Sequence, residues 1–214
     1  MLGRMTFSST PAPASAARRQ RLVDAARELA TETGSAAFTV AQATARARAS
    51  LKGFYACFTG KDDLLLALLA EDSRIGATLV AEHVTAHTDP VDRLRAYVLG
   101  LFELVAHPGA LGYAGVLVRE HRRLGAERPD HLRAALAPLV DLLAGELAAA
   151  GAAGVATTLD PQRDAETVFG LLLAGVHEVT FGRRDPSDEA AHVWRLAWSG
   201  LGATAINETI QGAP

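Results

Sequence analysis

The 214-residue sequence predicts an all-α fold of about nine helices, and three observations carry that expectation. Apolar residues recur at helical spacing, as in Leu94, Val98, Leu101, Phe102 and Val105. No segment sustains the period-two alternation of a half-buried strand. Breakers at Asp89-Pro90, His107-Pro108-Gly109, Arg128-Pro129, Asp160-Pro161 and Asp185-Pro186 then cut the chain into segments of helical length, because proline opens a helix but does not continue one. With 49% apolar and 21% charged residues, the chain is long enough to bury a core and to form one or two domains.

Residues 1–16 contain Pro11, Pro13 and many Ser, Thr and Ala, which predicts a flexible amino-terminal arm. The arm lacks the continuous apolar stretch of a signal peptide, and no uncharged apolar run reaches membrane-spanning length. The expectation is a soluble cytoplasmic protein with no membrane partner. A first helix follows over about residues 17–33, with Leu22, Ala25, Ala26, Leu29 and Ala30 at helical spacing. Arg18, Arg19 and Arg21 at its start fit two readings equally: a contact to a nucleic-acid groove, or a solvated arm without a fixed partner.

The next elements are short. Thr39 precedes Gln42 by three residues, the spacing of a capping box, and starts a helix over about residues 40–47 whose small face is Val40, Ala43, Thr44 and Ala47. Arg48 and Ala49 form a turn. Ser50 caps a second short helix running on to Phe58, in which Phe54 and Phe58 point inward and Lys52 and Tyr55 lie on other faces. An ammonium and a phenol there can reach phosphate oxygens or base edges. A helix-turn-helix for DNA is the arrangement this spacing describes. Thr59-Gly60-Lys61-Asp62-Asp63 then supplies a cap and first-turn acids for a long helix, with Lys61 at its mouth beside the expected phosphate path.

Charge divides in the same place. Residues 1–61 hold nine basic and three acidic side chains, whereas the remainder holds twelve and twenty-one, within a net charge of -3. A basic front on an acidic body suits one end that neutralises phosphates and another that stays away from them. The chain's lysines, Lys52 and Lys61, both lie in the motif.

The stretch from Thr39 to Leu64 resembles the TetR family of one-component transcriptional regulators. Their motif runs approximately T-V-x-x-I-A-x-x-A-G-V-S-x-G-x-x-Y-x-x-F-x-x-K-x-x-L. Thr39, Val40, Ala47, Ser50, Tyr55, Phe58, Lys61 and Leu64 fall in register. The motif-level likeness covers about residues 17–72. Ala43 stands where the family favours Ile, Arg48 where the turn favours Gly, and Gly53 follows Lys52 one place late. A non-glycine residue in a left-handed turn costs about 1–2 kcal/mol. The resemblance implies a three-helix helix-turn-helix DNA-binding domain over residues 17–62 and a helical ligand-binding and dimerisation domain over residues 63–214. The candidate DNA-contacting residues are Thr39, Arg48, Ser50, Leu51, Lys52, Gly53, Tyr55 and Lys61.

In the second domain, the last two helices are expected over about residues 162–181 and 187–209. Two carboxy-terminal helices from each subunit form a four-helix interface in the family, which makes Val168, Leu172, Val176, Trp194, Trp198 and Leu201 candidates for a homodimer contact. Plain intrachain core is the competing reading. Tyr97, Phe102, Tyr113, His121 and His177 are candidates to line a cavity for a small-molecule effector. His83 and His87 have the spacing of one helix face, which a metal needs supplemented by a further ligand such as His107 or Glu82. Cys57 is the chain's single cysteine, which excludes an intrachain disulfide; it reads as a small apolar residue, with redox sensing as the minor reading.

Enzyme signatures do not appear. There is no G-x-S-x-G elbow and no H-E-x-x-H, and His177-Glu178 lacks a second histidine. Between Gly53 and Gly60 lie six residues, and Asp62 replaces the magnesium-holding hydroxyl of a phosphate loop. Gly200-Leu201-Gly202 lacks the third glycine of a dinucleotide turn. The expectation is therefore a non-enzymatic regulator without cofactor or resident metal: a homodimeric repressor that leaves a double-stranded DNA operator when an effector binds. The alternatives are an activator on the same fold, or a helical small-molecule-binding protein or enzyme without DNA binding.

Overall fold

The computed structural model describes residues 13–107 and 109–202. Among them are nine helices and no strand, with an isolated bridge between Ala156 and Gly202. The chain divides into two compact units, residues 1–68 and 69–214.

The first unit holds α1 (Pro13–Thr33), α2 (Val40–Arg46), α3 (Leu51–Tyr55) and the opening turns of α4 (Lys61–Thr85). Helix α1 starts at Pro13 instead of near Ala17, so the end of the expected arm is helical; residues 1–12 of that arm lie outside the described residues. The core of this unit contains Leu22, Val23 and Ala26 from α1, Ala43 from α2, Phe54 from α3, and Phe38, Phe58 and Leu64, all nearly or fully buried. Burying an aromatic ring such as Phe54 is worth about 1.5–3 kcal/mol. Such anchors hold helices too short to be stable alone.

In the second unit, α4 continues and is followed by α5 (Pro90–Ala106), α6 (Ala110–Glu127), α7 (Pro129–Ala152), α8 (Pro161–Thr180) and α9 (Pro186–Leu201). Proline occupies the first turn of α5, α7, α8 and α9, where its missing N–H costs nothing. Asp89, Asp160 and Asp185 cap three of them; the Asp89 carboxylate accepts from the Val91 and Asp92 amides at 2.9 and 3.2 Å. Helices α8 and α9 match their expected starts within a residue, while the expected continuation past residue 202 lies outside the described residues.

One core unites α5, α7, α8 and α9, built on residues such as Leu94, Tyr97, Phe102, Leu143, Leu147, Leu172 and Val193. The buried Tyr97 hydroxyl donates to the Leu139 carbonyl at 2.9 Å, and its burial raises its pKa. Gly175 allows a close approach: a Cβ there would come 2.8 Å from Phe102 Cζ and 3.0 Å from Val193 Cγ2. Arg93 of α5 grips Glu146 of α7 with two hydrogen bonds of 2.7 Å, and this contact raises the arginine pKa. Helix α7 is long and apolar enough to cross a membrane by length and composition, yet its apolar face, including Leu139, Leu143 and Leu147, belongs to this core.

Candidate functional site

The first candidate surface is built from the α2–turn–α3 segment. Thr39 and Gln42 complete the capping box, with the Gln42 amide donating to Thr39 Oγ1 at 3.2 Å and the Thr39 amide donating to Gln42 Oε1 at 2.7 Å. Ala43, Thr44 and Ala47 are buried as expected, but Val40 is only half-buried. Arg48 then adopts φ 50°, the left-handed region. The Arg48 amide donates to the Ala45 carbonyl at 3.2 Å and the Ala49 amide to the Thr44 carbonyl at 2.9 Å, the paired bonds of a Schellman ending. An arginine thus fills a position that glycine fills at least cost.

Ser50 caps α3, accepting from the Gly53 amide at 3.0 Å. The helix stops at Tyr55 and not at Phe58. Beyond it, the Phe58 amide still donates to the Phe54 carbonyl at 2.9 Å, and the two rings stand 5.5 Å apart, so both face the core as expected. On the other side, Arg48, Ser50 and Lys52 are exposed, and so are Leu51 at 53% and Tyr55 at 61%. Large apolar and aromatic side chains at that exposure, next to cations and over a fully buried Phe54, form a rigid and accessible surface.

Neighbouring basic residues are placed individually. The Arg18 side chain lies against Gly53, where a Cβ would sit 3.2 Å from Arg18 Cδ; this close approach is what the displaced glycine permits. The Arg19 guanidinium stands 5.2 Å from the Phe58 ring centroid and Lys61 Nζ 4.9 Å from that of Phe38, both within cation–π range. Helix α1 therefore orders two of the arginines left open between groove contact and solvated arm. Arg46 is spoken for differently, by bonds of 2.7 and 2.8 Å to Glu32 and 3.1 Å to Glu28. These bonds raise the Arg46 pKa and lower that of Glu32. The sequence signal for that tie is a pair of glutamates four residues apart on α1, which only the docking of α2 makes meaningful. Asp63 accepts from the Thr59 amide at 3.0 Å and from the Thr59 hydroxyl, so Thr59 lies just outside the first turn of α4. Cys57 is half-buried.

A second candidate is a cavity of about 170 Å³ within the larger unit. Asp72, Ser73 and Gly76 of α4, Leu104 of α5, Leu117 and His121 of α6, Leu136 and Leu139 of α7, and Phe169, Leu173 and Val176 of α8 contribute to its wall. Of the five residues expected to line such a space, His121 does so, and burial lowers its pKa. His121 also borders two adjoining clefts, one of which His177 lines, where His177 packs 4.6 Å from the Phe181 ring. Tyr113 reaches the wall through its hydroxyl, which donates to Asp72. Tyr97 and Phe102 are corrected: both are fully buried core residues away from the wall, because α5 turns them toward α7 and α8. Asp72, Ser73 and Gly76 were not singled out in the sequence, since nothing local distinguishes the cavity side of α4.

The expected interface residues split likewise. Val168, Leu172 and Val176 are buried within the chain, in its core. Trp194 and Trp198 are half-buried and stacked with ring centroids 5.4 Å apart, Leu201 is half-buried, and Leu196 beside them is 52% exposed. The histidine pair does not hold together: α4 ends at Thr85, before His87, and His83 lies 2.9 Å from the Leu79 carbonyl and 3.2 Å from Glu103.

Residues 22–68 match the family "Bacterial regulatory proteins, tetR family". Residues 22–68 form a tetR-like helix-turn-helix domain, and the described residues carry a TetR-like fold. The transcriptional regulator FadR from Bacillus subtilis, solved in complex with stearoyl-CoA, is 22% identical with a TM-score of 0.69, over 85% of this chain and 98% of that one. A TetR-family regulator from Rhodococcus sp. is 21% identical at 0.69, over 87% and 100%. RolR in complex with resorcinol is 22% identical at 0.65, over 95% and 97%. No curated protein matches the sequence.

Proposed function

We propose that this protein is a homodimeric transcriptional repressor, not an enzyme, that α3 reads an operator in the DNA major groove, and that a small-molecule effector releases it. The observation that carries the reading is the exposed surface of Leu51, Lys52 and Tyr55 beside Arg48, backed by the buried Phe54. A short helix presenting a cation, a phenol and an apolar side chain supplies both phosphate and base-edge contacts. The resemblance in motif and the basic charge of residues 1–61 support the same partner.

The effector half of the reading rests on the cavity and on fold neighbours solved with resorcinol and with stearoyl-CoA. Helix α4 is the proposed coupling element, since one unbroken helix carries Lys61 at its start and Asp72, Ser73 and Gly76 on the cavity wall. An effector that binds the DNA-free conformation more tightly, typically by about 1–3 kcal/mol, weakens operator binding by the same factor.

The test is a fluorescence-anisotropy titration against the DNA upstream of the protein's own gene, with scrambled DNA as control, at two salt concentrations. Selective binding that weakens with salt is expected. Lys52→Ala should weaken it and flatten the log–log salt slope by about one unit if the ammonium meets a phosphate. Unchanged titrations for both Lys52→Ala and Tyr55→Phe would remove α3 from the DNA.

A further inference from the structure

Resting on the effector reading above, we propose that the α4–α8 cavity selects a small neutral molecule, mostly apolar with one oxygen that pairs with the Ser73 hydroxyl, and rejects carboxylates of similar size. The volume sets the first limit. At about 170 Å³ the cavity is close to the size of an apolar site that admits benzene, roughly 150 Å³; it shares His121, Leu136, Phe169 and Leu173 with an adjoining cleft, so the portion of an occupant held here has about six to nine non-hydrogen atoms.

Chemistry sets the second. Leu104, Leu117, Leu139 and Leu173 line the space, and among the described residues neither Lys nor Arg does. The carboxylate in its wall is Asp72, which accepts the Tyr113 hydroxyl. An anion held within this space would surrender its hydration and meet a like charge, since Arg122 and Arg133 line the adjoining clefts and not this one; such burial is costly at low dielectric. His121 does not offset this, because burial favours its neutral form.

Ser73 supplies the third limit. It is 3% exposed, it lines the cavity, and among the described residues its hydroxyl is the buried side-chain polar atom without a hydrogen-bond partner. A serine hydroxyl both donates and accepts, so it pairs with an alcohol, a phenol or a carbonyl oxygen. A buried hydroxyl left unpaired is unfavourable, and the occupant that pairs with it gains the difference.

Three probes separate these statements: p-cresol, toluene and benzoate, titrated by calorimetry into the full chain at neutral pH. The expected result is one p-cresol per chain, bound about 5–10-fold more tightly than toluene, the value of one net hydrogen bond. Benzoate should give no heat at concentrations that saturate with p-cresol. Ser73→Ala should lower p-cresol to the affinity of toluene and leave toluene within about twofold. Gly76→Leu, placed where a Cβ already meets Leu104 and Leu139 at 3.8–3.9 Å, should remove both, with helicity checked by circular dichroism. Benzoate binding as well as p-cresol, p-cresol binding no better than toluene, p-cresol binding unmoved by Ser73→Ala, or no binding by any probe would each overturn the proposal. The same preparation, titrated with upstream DNA, separates the two readings. Selective DNA binding beside failed p-cresol binding overturns the ligand class alone, and the reverse overturns the regulator alone.

Discussion

Arg48 shows how much one residue concedes to a turn. Its left-handed φ of 50° closes α2 with the two Schellman bonds, yet it carries a Cβ where glycine carries none. Relief of about 1–2 kcal/mol of strain, less about 0.5–1 kcal/mol for the greater freedom of glycine in the unfolded chain, favours Arg48→Gly by up to about 1.5 kcal/mol. The melting midpoint should rise by up to about 6 °C by scanning calorimetry; a fall would mean that the arginine side chain holds contacts worth more than the strain. The expectation of strain at this position was legible in the sequence because turn chemistry is local. At His121, burial holds the folded-state pKa below its ordinary 6.5. The unfolded chain therefore takes up the proton first, and stability falls as pH drops from about 6.5 downward. Asp72, Asp130, Arg133, Glu166, Arg122, His177 and Glu178 line the same group of clefts. Urea midpoints measured between about pH 7 and pH 5.5 should decline less in His121→Phe than in the parent; equal declines would show that His121 does not carry the effect.

Elements are held by contacts that the sequence announces unevenly. Prolines and aspartate caps mark where α5, α8 and α9 begin because both act within a single turn, and those starts agree with expectation. The ties between helices are not local. Arg93 and Glu146 lie 53 positions apart and meet only because α5 packs on α7. Glu146 is buried to 9% side-chain exposure, so Glu146→Ala strands the half-buried guanidinium; it should cost about 1.5–3 kcal/mol and lower the melting midpoint by about 3–12 °C. A shift within 1 °C would show that the pair contributes no net stability, as some buried pairs do not. The Arg46 tie to Glu28 and Glu32 is exposed, and salt screens it more strongly.

For the whole molecule, the proposed dimer depends on the apolar surface that the core leaves over. Val168, Leu172 and Val176 are buried in the core, so the stacked Trp194 and Trp198 with the exposed Leu196 on α9 are the proposed interface set. Light scattering should give twice the 22.5 kDa chain mass, and Leu196→Glu should shift it toward the single chain and weaken operator binding. A Leu196→Glu protein that remains dimeric would place the interface elsewhere. The sequence by itself determined that the chain is helical, where its helices break, and that residues 39–64 form a helix-turn-helix, because period, caps and turn residues act over a few positions. Only the tertiary structure decided that Tyr97 and Phe102 are core, that Asp72, Ser73 and His121 share a cavity wall, and that Arg46 is committed to α1. Those outcomes depend on which helix faces pack together, and that is set by contacts between residues far apart in the chain.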